Sequence, residues 1–208
     1  MITIRKVLVC SPHYDDGILG CGGTIAKLIE IGDSIEYLVF TPKSPEYSHE
    51  ALHSELLKAN KFIGLHEGDI NYLDFKTREF PRNRQHILDT IYHLKEKTEY
   101  QLIFTPSNFD VHQDHQTVTN ELLRVYKRLP TSIFGYELVL NTFSFNTAVF
   151  SGFEKSHMTA KLKAFDCFET QMGREHFSRK LFEATAIVRG AQMGANYAEA
   201  FEAIRVIL

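Results

Sequence analysis

The stretch KVLVCSPHYDDG, residues 6–17, joins a short apolar run to a cluster of polar side chains. Residues 6–11 form a continuous run rich in β-branched residues, which is typical of a buried strand. Apolar residues then recur at helical spacing over residues 18–31, and this predicts a helix directly after the strand. A buried strand that leads straight into a helix is the first half of a βαβ unit and indicates a parallel sheet.

The same alternation of strand and helix continues along the chain. Further strands are predicted at residues 34–41, 69–73, 101–105 and 133–140, and further helices at residues 49–63, 82–97 and 114–128. From residue 155 onward the pattern is mostly helical, with breaks at Gly173, Gly190 and Gly194. We therefore predict an α/β fold with a mostly parallel, doubly wound sheet. In that order the first and fourth strands are neighbours, and ligands bind beyond their carboxyl ends.

Length and composition limit the class of protein. The 208 residues include 44% hydrophobic and 24% charged residues, an ordinary globular composition, and we expect one domain over residues 1–208. With 23 Lys and Arg against 26 Asp and Glu, the chain lacks the basic surface that nucleic-acid binding requires. No apolar run approaches the roughly 18–20 residues that would span a bilayer. The composition favours a soluble enzyme that binds neither nucleic acid nor membrane.

The cysteines indicate the compartment. The chain has three, Cys10, Cys21 and Cys167, which cannot all pair, and it has no CxxC motif. Free thiols are typical of the reducing cytosol, so we expect a cytoplasmic protein.

Polar side chains that can bind a metal follow both the first and the fourth predicted strand. His13, Asp15 and Asp16 follow the first strand, and the segment DVHQDH, residues 110–115, follows the fourth. Imidazole and carboxylate are ligands of Zn²⁺ and similar divalent ions, and a catalytic zinc needs three of them and an open position for water. One such cluster alone is as often a helix cap as a metal site. Two clusters at neighbouring strand ends favour a shared metal site.

Glycines follow the first cluster in the segment GILGCGG, residues 17–23. The order differs from the GxGxxG fingerprint of dinucleotide-binding loops, and a pyrophosphate would face Asp15 and Asp16. We expect these glycines to serve close packing of the helix on the sheet, and we expect no organic cofactor.

Two motifs resemble those of a known family. HYDD at residues 13–16, followed by LGCGG at residues 19–23, resembles the first motif of the LmbE-like, or PIG-L, family of zinc-dependent N-acetylglucosamine deacetylases. DVHQDH at residues 110–115 resembles the second motif, and residues 189–201 resemble the closing segment. The resemblance therefore covers nearly the whole chain. It implies a single-domain, Rossmann-like, three-layer fold with the metal site at the carboxyl ends of the first and fourth strands.

The resemblance also implies roles for individual residues. His13, Asp16 and His115 would bind zinc, one ion per chain, with another divalent metal as the alternative. Zinc would lower the pKa of its water to about 7 and so supply a nucleophile for amide hydrolysis.

Three further residues would take part in catalysis by the same resemblance. Asp15 would be the general base, since a carboxylate beside the water can take its proton and pass it to the leaving amine. His112 would be the electrophile and acid, with Asp114 as its partner. A carboxylate such as Asp114 would keep the imidazole charged and correctly oriented.

The sequence departs from the family pattern at three places. Tyr14 stands where proline is usual, and Gly17 stands where glutamate is usual. The second helix usually carries an arginine that contacts substrate, whereas this chain has Leu52 or His53 at the corresponding positions. The candidates to replace that arginine are Arg82 and Arg84, for which a solvated loop is the favoured interpretation, and Tyr14 is a further candidate substrate contact.

The sequence thus predicts a cytoplasmic zinc amidohydrolase that removes the N-acetyl group from an amino sugar or glycoconjugate. Two alternatives remain at this point. Two histidines and one carboxylate are also the ligand set of non-haem iron oxygenases. The departures at Tyr14 and Gly17 leave open a non-catalytic sugar or nucleotide binder. The resemblance further favours a homo-oligomer.

Overall fold

The computed structural model describes residues 4–41, 46–173 and 177–207, in which seven strands form one sheet. The strands are β1 (Lys6–His13), β2 (Ser34–Thr41), β3 (Ile70–Tyr72), β4 (Leu102–Pro106), β5 (Ser132–Tyr136), β6 (Val149–Phe153) and β7 (Tyr197–Arg205). The α-helices are α1 (Asp16–Glu30), α2 (His49–Phe62), α3 (Arg84–Lys97), α4 (Gln113–Tyr126), α5 (Lys155–Phe165) and α6 (Arg179–Met193).

The first predicted strand lies at the centre of the sheet. The strand order is β3-β2-β1-β4-β5-β7-β6, with β1 parallel to both β2 and β4. Val7 lies opposite Ile35 on one side and Leu102 on the other. A central strand covered on both faces has no solvent side, which is why residues 7–12 are all buried and the run is continuously apolar. The predicted neighbourhood of the first and fourth strands is confirmed.

Helices cover both faces of the sheet. Helices α1 and α2 bury Ile18, Ile25 and Leu56 against one face, and α3 and α4 bury Ile87 and Val118 against the other. Each fully buried aliphatic side chain of this kind contributes roughly 1.5–3 kcal/mol. This arrangement is the predicted α/β, three-layer architecture. Within the described ranges, no helix combines the length and the apolar character needed to cross a membrane.

The end of the chain differs from the prediction. The fifth strand ends at Tyr136, not at residue 140, and β6 was not predicted. The mostly helical expectation from residue 155 was wrong for β7, which pairs antiparallel with both β5 and β6. Gly190 lies inside α6, whereas Gly194, with φ +82°, ends that helix. Strand pairing on both sides of β7 overrides the helical tendency of its Ala and Glu residues.

The glycines of α1 permit close packing, as expected. A Cβ at Gly20 would lie 2.3 Å from the Tyr136 ring, and one at Gly23 would lie 2.5 Å from the Phe153 ring. Helix α1 therefore approaches the aromatic side chains of the sheet more closely than a larger residue would allow. This approach places the first turn of α1 directly beside the carboxyl end of β1.

Candidate metal and catalytic site

Both polar clusters lie at one edge of the sheet. His13 is the last residue of β1, and Asp16 opens α1. On the neighbouring strand β4, the loop of residues 107–112 leads to α4, and His115 lies in the first turn of that helix. Parallel pairing of β1 with β4 thus brings together side chains about a hundred positions apart in sequence.

Three atoms from His13, Asp16 and His115 converge on one point. Asp16 Oδ2 lies 3.0 Å from His13 Nδ1 and 3.2 Å from His115 Nε2, and the two nitrogens are 3.1 Å apart. Ligands of a tetrahedral zinc, at about 2.0–2.2 Å from the ion, are separated from each other by about 3.4 Å. The donor types and their separations therefore fit one small divalent cation.

A carboxylate contacts the second ring nitrogen of both His13 and His115, the nitrogen that does not face the converging atoms. Asp110 Oδ2 lies 2.7 Å from His115 Nδ1, and Asp114 Oδ2 lies 3.2 Å from His13 Nε2. Asp110 Oδ1 also accepts a hydrogen bond from the backbone N–H of His112 at 2.8 Å. A carboxylate on the far nitrogen of an imidazole fixes the tautomer and orientation of a metal ligand. Sequence reasoning gave Asp110 no role, although it is the first residue of the second motif.

The carboxylates also set the charge of the cluster. Burial alone would lower the pKa of His13, but Asp16 and Asp114 outweigh it and raise that pKa to about 9. Against the same effect of burial, Asp16 and Asp110 raise the pKa of His115 to about 10. In turn, despite its own burial, Asp16 has its carboxyl pKa held well below the usual value by the two imidazoles. The cluster therefore favours positive charge at the point where its three atoms converge.

His112 differs from these two histidines. It caps α4, and its Nδ1 accepts a hydrogen bond from the Asp114 backbone N–H at 3.2 Å. A nitrogen that accepts carries no proton, so in the neutral ring Nε2 carries the N–H. Burial and the nearby charges of His115 and His13 lower the pKa of His112 to about 4. His112 is thus a neutral imidazole in this arrangement.

This geometry corrects the predicted pairing of Asp114 with His112. Only the backbone N–H of Asp114 contacts that ring, while its carboxylate lies against His13 and accepts from the backbone N–H groups of Arg78 and Phe80. Asp114 lies in the first turn of α4, and its side chain leaves the helix on the side that faces His13. Asp114 therefore does not hold His112 in a charged form.

A second donor set is also within reach of a metal. One ring nitrogen from each of His13, His112 and His115 lies within 4.8 Å of the other two. The three-histidine set and the set with Asp16 share two members, and they differ in whether His112 or Asp16 completes the site.

The cluster forms the floor of a cavity of about 460 Å³. Asp15, which is half-buried, lines this cavity, as do His112 and Tyr14. Apolar side chains also line the cavity, namely Leu138, Val139, Leu140, Phe177 and Phe182. A concave site with an apolar wall and a few polar groups at one end is typical of small-molecule binding.

The expected arginine contacts do not reach this cavity. Arg84 is paired with Glu121, with Nε 2.8 Å from Oε1, and Arg82 is exposed outside the cavity lining. Neither Leu52, which is fully buried, nor His53, which packs on Tyr72, lines it. Neither Arg82 nor Arg84 therefore lines the cavity at the candidate site.

The arginine that does line the cavity is Arg78, which sequence reasoning missed. It lies in the connection after β3, where no motif or periodicity marks it. Its position depends on the course of the backbone between β3 and α3.

Tyr14 and Gly17 have structural explanations. The Tyr14 hydroxyl lies 3.0 Å from Thr170 Oγ1 and also accepts from Gln171 Nε2, so it ties the loop before α1 to residues 170–171. A Cβ at Gly17 would lie 2.6 Å from the hydroxyl of the buried Tyr37. Tyr37 therefore fills the space that a glutamate at position 17 would need.

Comparisons with known proteins agree with this architecture. The family model described as PIG-L: GlcNAc-PI de-N-acetylase matches residues 8–126. The uncharacterized deacetylase YaiS of Escherichia coli (strain K12) is 28% identical over 164 residues, which are 77% of this chain and 88% of that protein.

Solved structures share the fold at lower identity. N,N'-diacetylchitobiose deacetylase from Pyrococcus horikoshii, complexed with its inhibitor MPG, is similar with a TM-score of 0.76 and 21% identity, over 95% of this chain and 83% of that one. GalB, the 4-carboxy-2-hydroxymuconate hydratase from Pseudomonas putida KT2440, is similar with a TM-score of 0.76 and 15% identity, over 99% of this chain and 98% of that one. A deacetylase and a hydratase thus share this fold, and fold alone does not decide the reaction.

Proposed function

Since this chain belongs to the PIG-L family of de-N-acetylases, we propose that it is a zinc-dependent enzyme that hydrolyses the N-acetyl group of an amino sugar or glycoconjugate. The products are the free amine and acetate. The observation that carries the proposal is the convergence of His13 Nδ1, Asp16 Oδ2 and His115 Nε2 at the floor of a cavity that Asp15 and His112 also line. The active unit is one domain over residues 1–208, and its free thiols favour the cytoplasm.

His13, Asp16 and His115 would hold the metal, because each presents a lone-pair donor to the same point. When bound there, a divalent ion supplies a water of lowered pKa and polarises the amide carbonyl. Asp110 would orient the His115 ring and Asp114 the His13 ring for metal binding. Their carboxylates contact the ring nitrogens that do not face the metal, at 2.7 and 3.2 Å.

Asp15 is the proposed general base. Asp16, its neighbour, is committed to the two histidines, whereas the Asp15 carboxylate is not one of the three converging groups. Asp15 takes a proton from the attacking water onto a carboxylate oxygen and delivers it to the nitrogen of the departing amine. One water is consumed, the C–N bond breaks, and a C–O bond of acetate forms.

His112 is the proposed electrophile, acting as a neutral ring. Because Nδ1 accepts from the Asp114 N–H, Nε2–H is left to donate a hydrogen bond to the carbonyl oxygen as negative charge develops there. A neutral imidazole at a helix N-terminus can play this part without becoming an imidazolium.

The family description supports an amino-sugar substrate, since GlcNAc-PI carries an N-acetylated sugar. The cavity of about 460 Å³ lies within the range of small-molecule sites. Its lining combines polar and apolar side chains, which suits a substrate with a polar amide and an apolar face.

The direct test measures metal content and acetate release. Purified protein is expected to contain about one zinc per chain and to release acetate from N-acetylglucosamine or N,N'-diacetylchitobiose. A chelator should stop the reaction and added zinc should restore it. Metal without acetate from any N-acetyl sugar would contradict the substrate, and oxygen-dependent turnover with bound iron would support the oxygenase alternative instead.

Variants of Asp15 test the assignment of the base. Asp15→Asn should keep the metal and lose about 10²- to 10⁴-fold in kcat, the usual contribution of general acid–base catalysis. Loss of metal in this variant would show that Asp15 is a ligand.

A matched pair of variants separates the two ligand sets. If Asp16 completes the site, Asp16→Ala loses the metal and His112→Ala retains it while turnover falls. The reverse pattern would assign the metal to His13, His112 and His115.

A further inference from the structure

Arg78 has a backbone conformation that residues with a side chain rarely adopt. Its φ is +68°, and no other non-glycine residue in the described parts of the chain has a positive φ. The left-handed conformation is disfavoured for any residue with a Cβ. Such strain persists only where the surrounding structure enforces it, and it concentrates at ligand-binding and catalytic sites.

The contacts that enforce this conformation come from the site itself. The Arg78 N–H donates to Asp114 Oδ2 at 2.7 Å, and its carbonyl oxygen accepts from Gln113 Nε2 at 2.7 Å. Asp114 Oδ2 in turn lies 3.2 Å from His13 Nε2. The carboxylate of Asp114 therefore links the backbone of Arg78 to His13, a proposed metal ligand.

The side chain of Arg78 is exposed and lines the cavity. Its guanidinium has no hydrogen bond or ion pair with any residue in the described ranges. The paired arginines are different: Arg84 lies against Glu121 and Arg189 against Glu137, at 2.8 and 2.6 Å. Among the described residues that line the cavity, Arg78 is the one Lys or Arg, so its donors are available to a ligand.

From this placement we infer that Arg78 binds an oxyanion, a carboxylate or a phosphate, on the part of the substrate next to the N-acetylated sugar. The inference rests on the proposed deacetylase function and narrows its substrate class to N-acetylated sugars with an anionic substituent. The planar guanidinium matches the two oxygens of such a group. The Asp and Glu side chains that line the cavity, Asp15, Asp16 and Glu46, would repel an anion placed beside them.

Three probes with the same N-acetylated sugar test this inference. They are N-acetylglucosamine 1-phosphate, the carboxymethyl glycoside of N-acetylglucosamine and its neutral methyl glycoside. The wild-type enzyme should prefer at least one anionic probe over the methyl glycoside by about 10- to 100-fold in kcat/KM, the usual strength of charged hydrogen bonds. The preferred probe also distinguishes a phosphate from a carboxylate ligand.

Arg78→Gly is the informative variant, because glycine adopts the same φ without strain and the loop keeps its course. This variant should lose most of the preference for the anionic probe, chiefly through KM. Arg78→Lys should retain part of it. Arg82→Ala is the control, since it removes one positive charge four residues away, from an exposed side chain outside the cavity lining.

Two outcomes would overturn the inference. One is a wild-type enzyme without preference for either anionic probe, and the other is an equal loss on all three probes in Arg78→Gly. If no probe is deacetylated at all, the proposed function fails. Calorimetric binding of glucosamine 1-phosphate and methyl glucosaminide to wild-type protein and Arg78→Gly then decides the inference separately.

Discussion

Two clusters of buried charge contact α1, and they are built differently. One is the pair Lys161–Glu199, with Nζ 2.6 Å from Oε1 and both side chains almost completely buried. Lys161 also donates to the Leu19 carbonyl, and Glu199 accepts from the backbone N–H groups of Gly23 and Thr24. One cation meets one anion, and the backbone of α1 supplies further hydrogen-bond partners for both.

The other cluster is the candidate metal site, where the charges do not balance. Asp16, Asp110 and Asp114 surround His13 and His115, and three lone-pair donors point at one another. Without a proton or a metal ion between them, these atoms would repel. The cluster lines the cavity of about 460 Å³, whereas the Lys161–Glu199 pair lines only a small pocket of about 20 Å³.

The comparison shows what separates a binding site from a structural ion pair. Burial and short contacts are common to both clusters. The difference lies in the balance of charges, because one cation meets one anion in the first cluster, whereas three carboxylates surround two imidazoles in the second. An excess of carboxylates around a buried point favours a bound cation there. The following variants test this distinction.

The largest effect is expected for Asp16→Asn. The change removes the anionic donor shared by both histidines, so the protein should lose its metal and at least about 1,000-fold in kcat/KM, since a metal supplies several kcal/mol of transition-state stabilisation. The fold should survive, because the core lies in the sheet and its helices. Metal analysis, acetate release and circular dichroism measure the three quantities. A variant that keeps both metal and activity would exclude Asp16 as a ligand and favour the set of three histidines.

Lys161→Met should produce the opposite pattern. It leaves Glu199 buried without its cation, which should cost about 3–5 kcal/mol in the free energy of unfolding. The folded fraction should still bind metal, because no atom of the pair contacts the site. Denaturant unfolding and metal content measure the two effects.

The double variant Lys161→Met, Glu199→Gln is the control for this prediction. Once both charges are gone, much of the lost stability should return. A Lys161→Met protein that is stable but lacks metal would contradict the assignment of stability to the Lys161–Glu199 pair and of metal binding to the other cluster.

Asp110→Asn should have an intermediate effect. Asparagine can still accept the His112 N–H through Oδ1, but it presents an amide N–H₂ to His115 Nδ1 in place of a carboxylate. Loss of such a supporting carboxylate typically lowers metal affinity by about 10- to 100-fold. Zinc titration against a competing chelator measures the affinity, and Asp89→Asn, on the exposed face of α3, is the matched control. Equal affinities in the two variants would remove Asp110 from the site.

The fold was predictable where local pattern and tertiary environment agree. The strands at residues 6–11 and 34–41 are buried on both faces, so their apolar runs are continuous, and α2 has a regular apolar stripe. Strand β7 was not predictable from its own residues. The sequence YAEAFEAIR contains strong helix formers, and its conformation depends on pairing with β5 and β6.

The site was predictable to the level of its motifs, but not of its contacts. Motif spacing and strand order bring His13, Asp16 and His115 together, and the structure places them in contact. That Asp114 turns to His13, a hundred residues away, depends on how α4 packs against β1. Arg78 carries no sequence signal, since a strained turn after β3 places it at the cavity.

The smallest effect on the free energy of unfolding is expected from a change in the pair Arg84–Glu121. Only one partner of this ion pair is buried, in contrast to the pair Lys161–Glu199. Glu121 is almost fully buried, but Arg84 is nearly half exposed, and Arg124 Nε also lies 3.6 Å from the Glu121 carboxylate. Arg84→Ala should therefore cost only about 1 kcal/mol in the free energy of unfolding, because Arg124 and solvent compensate in part. Acetate release should stay unchanged, since Arg84 does not line the cavity. Adding Arg124→Ala should raise the cost toward that of Lys161→Met. Arg84→Ala alone could instead lower the free energy of unfolding as much as Lys161→Met does. That result would show that the burial of one partner is enough to make the loss of an ion pair costly.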